Sequence, residues 1–413
     1  MRPDKPIAVS LLDDDFYKFA MGQLIFLLWR DVSAESHFIN RSKTIRIADS
    51  IDVGQLREEL DHARTLRFNK SELHYLRGTN EYGDRMFCGE YLTFLESLRL
   101  PEYDLRVHDG QIELAFAGPW STETYWEMPG LPIIQELLGR AQMKHMTRLE
   151  KEAVYAEGTT RLLEKIRKFR EYPGLRFSEF GTRRRFSFDW QMYVDERLAE
   201  ELPRQFLGTS NVLSAMRFGL MPMGTSAHEL PMILAGADST EDSIRSAQRN
   251  VYDAWWKQYG VGLSIALPDA FGSAYGLAVM GKDHLAQWKG TRQDSGDPHI
   301  YIRDQLLPRY RELGIDARTK MVIPSDALTT ELAIELYIAY RDQIGISFGI
   351  GTHFTNDMGF KTPSIVIKPA YANGHPLVKL SDNIQKATGE REEIERYKRI
   401  FNYHETANEE CRS

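Results

Sequence analysis

From about residue 175 onward the chain repeats one pattern. A short apolar or β-branched stretch runs into small and polar residues, and a helix-like stretch follows. The endings are SEFGTRRR (178–185), QFLGTSN (205–211), PMGTSAHE (222–229), IALPDAFGS (265–273), WKGTRQDSGD (288–297), MVIPSDAL (321–328) and ISFGIGTHFTND (346–357). Between them, stretches such as 241–260 and 329–343 carry apolar positions spaced near 3.6 residues, the mark of amphipathic helices. Strands alternating with helices predict a parallel sheet. Seven units within this stretch favour a sheet closed, or nearly closed, on itself. The expectation is an α/β fold: an irregular β/α (TIM-like) barrel over 131–359.

The flanking regions read differently. Residues 11–30 carry an apolar helical stripe. SAESHFIN (33–40), DLRVHDGQIELAFAG (104–118) and TETYWEM (122–128) look strand-like. After 360, SIVIKPAYANG and HPLVKLS read as strands about an Asn373-Gly374 turn. The charged stretch 389–401 reads as a solvated helix held by i,i+4 pairs. Residues 1–130 and 360–413 are together expected to form a second, α+β domain.

Composition narrows the classes of function. The 413 residues are 42% hydrophobic and 27% charged, ordinary for a globular chain, with a net charge of −7. Such mild acidity argues against a nucleic-acid binder, which needs a basic surface to neutralise phosphates. It leaves room for a local basic pocket and a small anionic substrate. Two cysteines, Cys88 and Cys411, permit neither a disulfide framework nor a zinc cluster. The longest purely apolar run, Leu24 to Trp29, is far too short to span a bilayer. No apolar signal core opens the chain. A cytoplasmic protein with no membrane association is expected.

β/α barrels place their chemistry at the C-terminal ends of the strands, where this chain places Gly, Thr, Ser, Asp, Arg and His. His228, just past a predicted strand end, has the side chain best suited to act as base or nucleophile near pH 7; read alone it is more often a structural histidine. In RQDSGDP, Arg292 can grip a phosphate, and Asp294 and Asp297 can hold a ribose hydroxyl or Mg²⁺; an ordinary charged turn is the alternative. FGIGTHF offers Gly349, Gly351 and Thr352 as a phosphate cradle or simply a tight turn. EFGTRRR puts three arginines beside Phe180, an anion pocket with an aromatic wall or a solvated basic patch. Asp269 and Asp326, each taken alone, read as turn or cap residues. Tyr17 sits on an acidic N-terminal helical turn, where a core tyrosine is the plain account.

In combination and in order, DDDFYKFAMGQ, EFGTRRRFS, FLGTSN, GTSAHE, RQDSGDP, PSDAL, FGIGT and LVKLSDNIQK resemble the nicotinate phosphoribosyltransferase family over most of the chain. That resemblance implies reaction of nicotinate with phosphoribosyl pyrophosphate to give nicotinate mononucleotide and pyrophosphate, in NAD biosynthesis. It implies coupling to ATP through a phosphorylated histidine, with Mg²⁺ and a homodimer. On matching motifs, His228 resembles the phosphorylated residue and Asp269 the carboxylate that orients it. Arg292 resembles the phosphoribosyl-binding arginine, and Asp294 the aspartate near ribose and metal. Gly349, Gly351 and Thr352 look like the 5′-phosphate loop. Tyr17 and Phe180 are similar to the pair enclosing the pyridine ring, with Tyr17 expected from the partner subunit. Arg183 and Thr225 look like further substrate contacts. The sister family acting on nicotinamide carries an aspartate where this chain has Ser210; an aspartate would repel a carboxylate, so nicotinate is favoured. Nicotinamide or quinolinate as the base, and a non-catalytic metabolite sensor, are the competing readings.

Overall fold

The computed structural model describes residues 5–78 and 85–409. Cys411 lies outside the described residues. The described residues are mixed α/β, with one antiparallel and two parallel sheets. The antiparallel sheet joins the two ends of the sequence. Its strands are β1 (Ser33–Asn40), β2 (Tyr103–His108), β3 (Gln111–Pro119), β11 (Ile365–Ala372) and β12 (His375–Pro376), in the order β12-β11-β1-β3-β2. Both hairpins turn on residues that accept positive φ: Asp109-Gly110 (47° and 72°) and Asn373-Gly374 (48° and 81°). Those backbone angles match the right-handed twist of the strands they join.

Seven short strands build the parallel sheets: β4 (Phe177–Glu179), β5 (Phe206–Thr209), β6 (Ile265–Ala266), β7 (Gly290–Gln293), β8 (Met321–Pro324), β9 (Gly345–Ile346) and β10 (Phe348–Ile350). One sheet runs β6-β7-β8-β9 and the other β10-β4-β5. Only Ser347 separates β9 from β10, so the first sheet passes directly into the second. At the other margin Thr209 makes a single parallel bridge to Pro222. Six of the seven predicted endings follow a strand of these sheets. PMGTSAHE does not: its approach contributes that one bridge and no strand, because Pro222 has no N–H to continue a ladder.

Two further expectations are corrected. The 122–128 stretch is helical, passing from Trp120–Glu123 through a 3₁₀ turn into the helix Glu127–Gln142. Its aromatics are buried on more than one side, so tertiary packing overrides the alternation. The helix Arg391–Phe401 is not a wholly solvated element. Tyr397, Ile400 and Phe401 are buried, Phe401 stacks 4.5 Å from Phe271, and its ion pairs Glu393–Arg396 and Glu395–Lys398 span i,i+3.

The N-terminal segment is tied to the parallel sheet of its own chain. The Phe16 N–H donates to the Ser210 carbonyl (2.8 Å), the Val212 N–H to Asp14 (2.9 Å) and the Leu213 N–H to Leu12 (3.0 Å). This fixes where the helix Phe16–Leu28 begins and where Tyr17 points. Among the described residues no helix is long and apolar enough to cross a membrane.

Candidate active site

A cleft of about 1200 Å³ opens beside the ends of the parallel strands, with β11 along one wall. Tyr17, Phe180, Arg183, His228, Arg292, Asp294, Gly351 and Thr352 all line it. So do Asp326 and the cations Arg41, Arg184, Lys368, Lys379 and Lys386, which make its walls predominantly basic.

At its centre the His228 imidazole is buried, with Nε2 2.7 Å from Asp269 Oδ1 and Nδ1 3.7 Å from Asp294 Oδ2. Burial lowers the imidazole to about 4 even though Asp269 pulls the other way. The ring is therefore neutral near pH 7. Burial alone would raise the Asp269 carboxyl, but His228, Lys379 and the hydrogen bonds from His228 and Ser295 hold it well below the usual range. A carboxylate has no proton to give, so Nε2–H donates to Asp269 and the Nδ1 lone pair remains available. Burial would raise Asp294 too, but Arg292 above all keeps it low. Asp294 accepts from Ser325 Oγ (2.9 Å) and lies 3.6 Å from Arg292.

A second buried network shapes the other end. Tyr17 Oη donates to Glu127 Oε2 (2.7 Å), and Lys18 Nζ sits 2.9 Å from Glu127 and 2.8 Å from Glu229. Arg183 reaches Glu127 at 3.4 Å and Asp15 at 3.8 Å. Desolvation works against every charge here, yet Lys18 above all, with Lys368 and Arg183, keeps Glu127 well below the ordinary carboxylate value. One anion thus orients a phenol, an ammonium and a guanidinium. Desolvation leaves Lys368 with its pKa lowered to about 7.

Comparison with known proteins decides among the readings. The nicotinate phosphoribosyltransferase (NAPRTase) family matches residues 175–405, and the N-terminal domain of the same family matches 12–135. The chain belongs to the nicotinate phosphoribosyltransferase family. A nicotinate phosphoribosyltransferase from Porphyromonas gingivalis is 30% identical, with a TM-score of 0.85 over 96% of this chain and 100% of its own. One from Vibrio cholerae is also 30% identical, with a TM-score of 0.85 over 97% of this chain and 95% of its own. A putative nicotinate phosphoribosyltransferase from Saccharomyces cerevisiae is 27% identical, with a TM-score of 0.82 over 97% and 100%. The chain is an enzyme, a nicotinate phosphoribosyltransferase, and the family implies nicotinate and phosphoribosyl pyrophosphate as substrates.

Within this nicotinate phosphoribosyltransferase fold, not every residue singled out from sequence stands on the cleft wall. Asp269 is fully buried behind His228. Ser210 is also buried and donates to Asp15 Oδ1 at 2.6 Å, so it meets Arg183 only through the Asp15 carboxylate. Thr225 is buried, its hydroxyl 3.2 Å from the Ser226 carbonyl. Gly349 lies inside β10, where a Cβ would come within 3.1 Å of Ser325 and 3.5 Å of Phe180. Its contribution is space beside the Phe180 ring.

Of the three arginines, only Arg183 and Arg184 face the cleft. Arg185 turns inward to a two-pronged pair with Asp13, both contacts at 2.6 Å. Asp297 caps the turn Pro298–Ile300 through the His299 and Ile300 N–H groups. Tyr17 lines the cleft of its own chain, and the backbone bonds of its segment to Ser210 and Val212 hold it there. Sequence reading missed Glu127 and Lys18. Glu127 carries no local signal, and the chemistry of Lys18 comes from contacts to residues 109 and 211 positions away. Lys379 and Lys386 also line the cleft.

Proposed function

We propose that this nicotinate phosphoribosyltransferase couples transfer to ATP by phosphorylating Nδ1 of His228. The observation that carries this is the neutral imidazole locked through Nε2 to Asp269, with Nδ1 beside the basic cleft. In the first step the bond between the γ-phosphorus and the bridging oxygen of ATP breaks, the Nδ1–P bond forms and ADP leaves. In the transfer step the pyridine nitrogen of nicotinate bonds to C1′ of phosphoribosyl pyrophosphate as the C1′–O bond breaks. The electron pair goes to pyrophosphate. Hydrolysis of the phosphohistidine then releases phosphate and restores His228. Positive charge developing at the sugar and negative charge on the leaving group both call for a preorganised, water-poor site.

Arg292 and Lys386 suit the diphosphate. Gly351 and Thr352 suit the 5′-phosphate, with Gly349 providing room. Tyr17 and Phe180 supply aromatic surface for the pyridine ring, and Arg183 a cation for its carboxylate. Ser210 acts on that end through Asp15, and Thr225 by shaping the turn before His228. Among the described residues no cluster of three or more His, Cys, Asp or Glu converges as a metal cage. The Asp294 carboxylate does fit Mg²⁺, which takes one or two protein carboxylates and completes its shell with substrate phosphates and water. Bound there, Mg²⁺ would neutralise charge on the diphosphate.

The same reading takes the two parallel sheets as one irregular barrel over 131–359 and the antiparallel sheet as the heart of a second domain from 1–130 and 360–413. The continuity through Ser347 supports the first, and the pairing of β1 with β11 the second. A homodimer and a cytoplasmic location rest on family likeness. A monomeric mass in sedimentation with full activity removes the dimer.

The test of mechanism is incubation with γ-labelled ATP. An acid-labile, base-stable label is expected on the wild type and none on His228→Ala; full labelling of the variant overturns the assignment. Mononucleotide formation on a panel of nicotinate, nicotinamide and quinolinate tests the base separately.

A further inference from the structure

Asp269 holds His228 only if its own plane is held. Oδ1 accepts from the imidazole, and Oδ2 accepts from Ser295 Oγ at 2.7 Å. The other partner within reach of Oδ2 is Lys379 Nζ, at 3.9 Å. Ser295 in turn accepts, at 3.0 Å, the backbone N–H of Asp382, more than eighty residues downstream. All of these groups are buried.

Asp382 is itself clamped. The Ser273 N–H donates to its carboxylate at 2.7 Å, joined by the Ser273 hydroxyl. Its carbonyl accepts the N–H groups of Thr406 and Ala407, both at 3.1 Å. The turn that brings Ser295 to Asp382 needs glycine at 296: φ is +72° there, and a Cβ would stand 3.2 Å from the Asp382 Cβ. Donors thus converge on Asp269 from two sides: the Asp382 N–H donates to the Ser295 hydroxyl, which donates to Oδ2, and the His228 Nε2–H donates to Oδ1.

We propose that Ser295 is a positioning residue for the phosphate-accepting histidine, and that the C-terminal strap through residues 379–409 sets it by donating the Asp382 N–H to its hydroxyl. The proposal rests on the phosphohistidine reading above. Without the Ser295 donor, Asp269 is free to swing toward Lys379 and the imidazole loses its fixed tautomer and direction. A bland turn serine would affect stability alone.

The experiment compares wild type, Ser295→Ala and Ser295→Thr as full-length protein, each checked by thermal melting. Two quantities are read. One is the single-turnover rate of label transfer from γ-labelled ATP. The other is the ¹⁵N spectrum of histidine-labelled protein, with His228 assigned through His228→Ala. The wild type should show a protonated Nε2 and an unprotonated Nδ1. Ser295→Ala should label about ten-fold more slowly or worse, the scale of one hydrogen bond to a charged group, and its His228 signals should move toward a tautomer mixture. Ser295→Thr, which keeps the hydroxyl, should recover most of both. If Ser295→Ala does not fold, Ser295→Cys, a weaker donor of similar volume, should show the same slowing. Unchanged labelling and unchanged His228 signals in the folded Ala or Cys variant overturn the proposal. A wild type that takes no label, but whose His228 signals still depend on Ser295, overturns the phosphohistidine reading and leaves the positioning role standing.

Discussion

At the scale of single residues, the site is a set of charges each tuned by a few buried neighbours. Asp269 matters through the proton it keeps on Nε2. Asp269→Asn preserves shape but removes the charge that selects the tautomer, so label transfer to His228 is expected to fall by ~10⁴-fold, the order lost when a triad aspartate becomes asparagine. Single-turnover labelling measures it. Glu127 does comparable work at the ring end. Replacing it with Gln takes the carboxylate away from Tyr17 and leaves Lys18 with Glu229 alone and Arg183 with the more distant Asp15. The KM for nicotinate should rise about ten-fold, with a smaller change for phosphoribosyl pyrophosphate, as fits one charge-assisted hydrogen-bond network. Steady-state kinetics in both substrates separates the two. Arg185 is a different case, because its charge is spent on Asp13 in the interior. Arg185→Ala strands a buried carboxylate and should cost about 3–5 kcal/mol of stability, read by denaturant unfolding.

At the scale of elements, function comes from where strands stop. The parallel strands are short, two to four residues each, and all but β9, which runs through Ser347 straight into β10, hand the chain to a turn beside the cleft or just behind it. The C-terminal elements contribute as much. β11 walls the cleft, and the strap that follows reaches Asp269 through Ser295. The helix Arg391–Phe401 anchors that strap by packing Tyr397 and Phe401 on Phe271, only two residues from Asp269. Phe401→Ala should therefore cost about 3 kcal/mol, the usual scale for deleting a buried aromatic, seen as a lower melting temperature. Periodicity found most of these elements because apolar spacing near 2 or 3.6 is a local property. It failed over 122–128, where alternating residues sit on a helix packed on several sides, and at 222, where a proline ends the ladder.

At the scale of the whole molecule, the two sheet systems enclose a large number of buried ionisable groups, and these set the response to pH. Glu179 ends β4 with its side chain fully buried. Burial pushes its carboxyl up to about 7 against hydrogen bonds from Thr209, Gln191 and the Gly181 N–H. Unfolded, it would titrate near 4.5. Between those values the unfolded chain binds fewer protons than the folded one, so stability falls as pH rises through that window. Glu179→Gln mimics the protonated form and removes the dependence. Relative to wild type it should gain about 2–3 kcal/mol between pH 4.5 and pH 7.5, measured by unfolding across that range.

What the sequence by itself determined is the order of strand endings, the residue types at each, and through their combination the family. Those are local facts: a Gly-Thr after an apolar run, or an Arg-Gln-Asp-Ser-Gly-Asp turn, carries its chemistry wherever the chain goes. Only the tertiary structure decided which of them converge. It turned Arg185 and Ser210 inward, brought Tyr17 into its own chain's cleft, and joined Glu127, Lys18 and Ser295 to the site. The physical reason is burial. The charge state and direction of a desolvated group depend on partners tens or hundreds of residues away, and no local pattern encodes that distance.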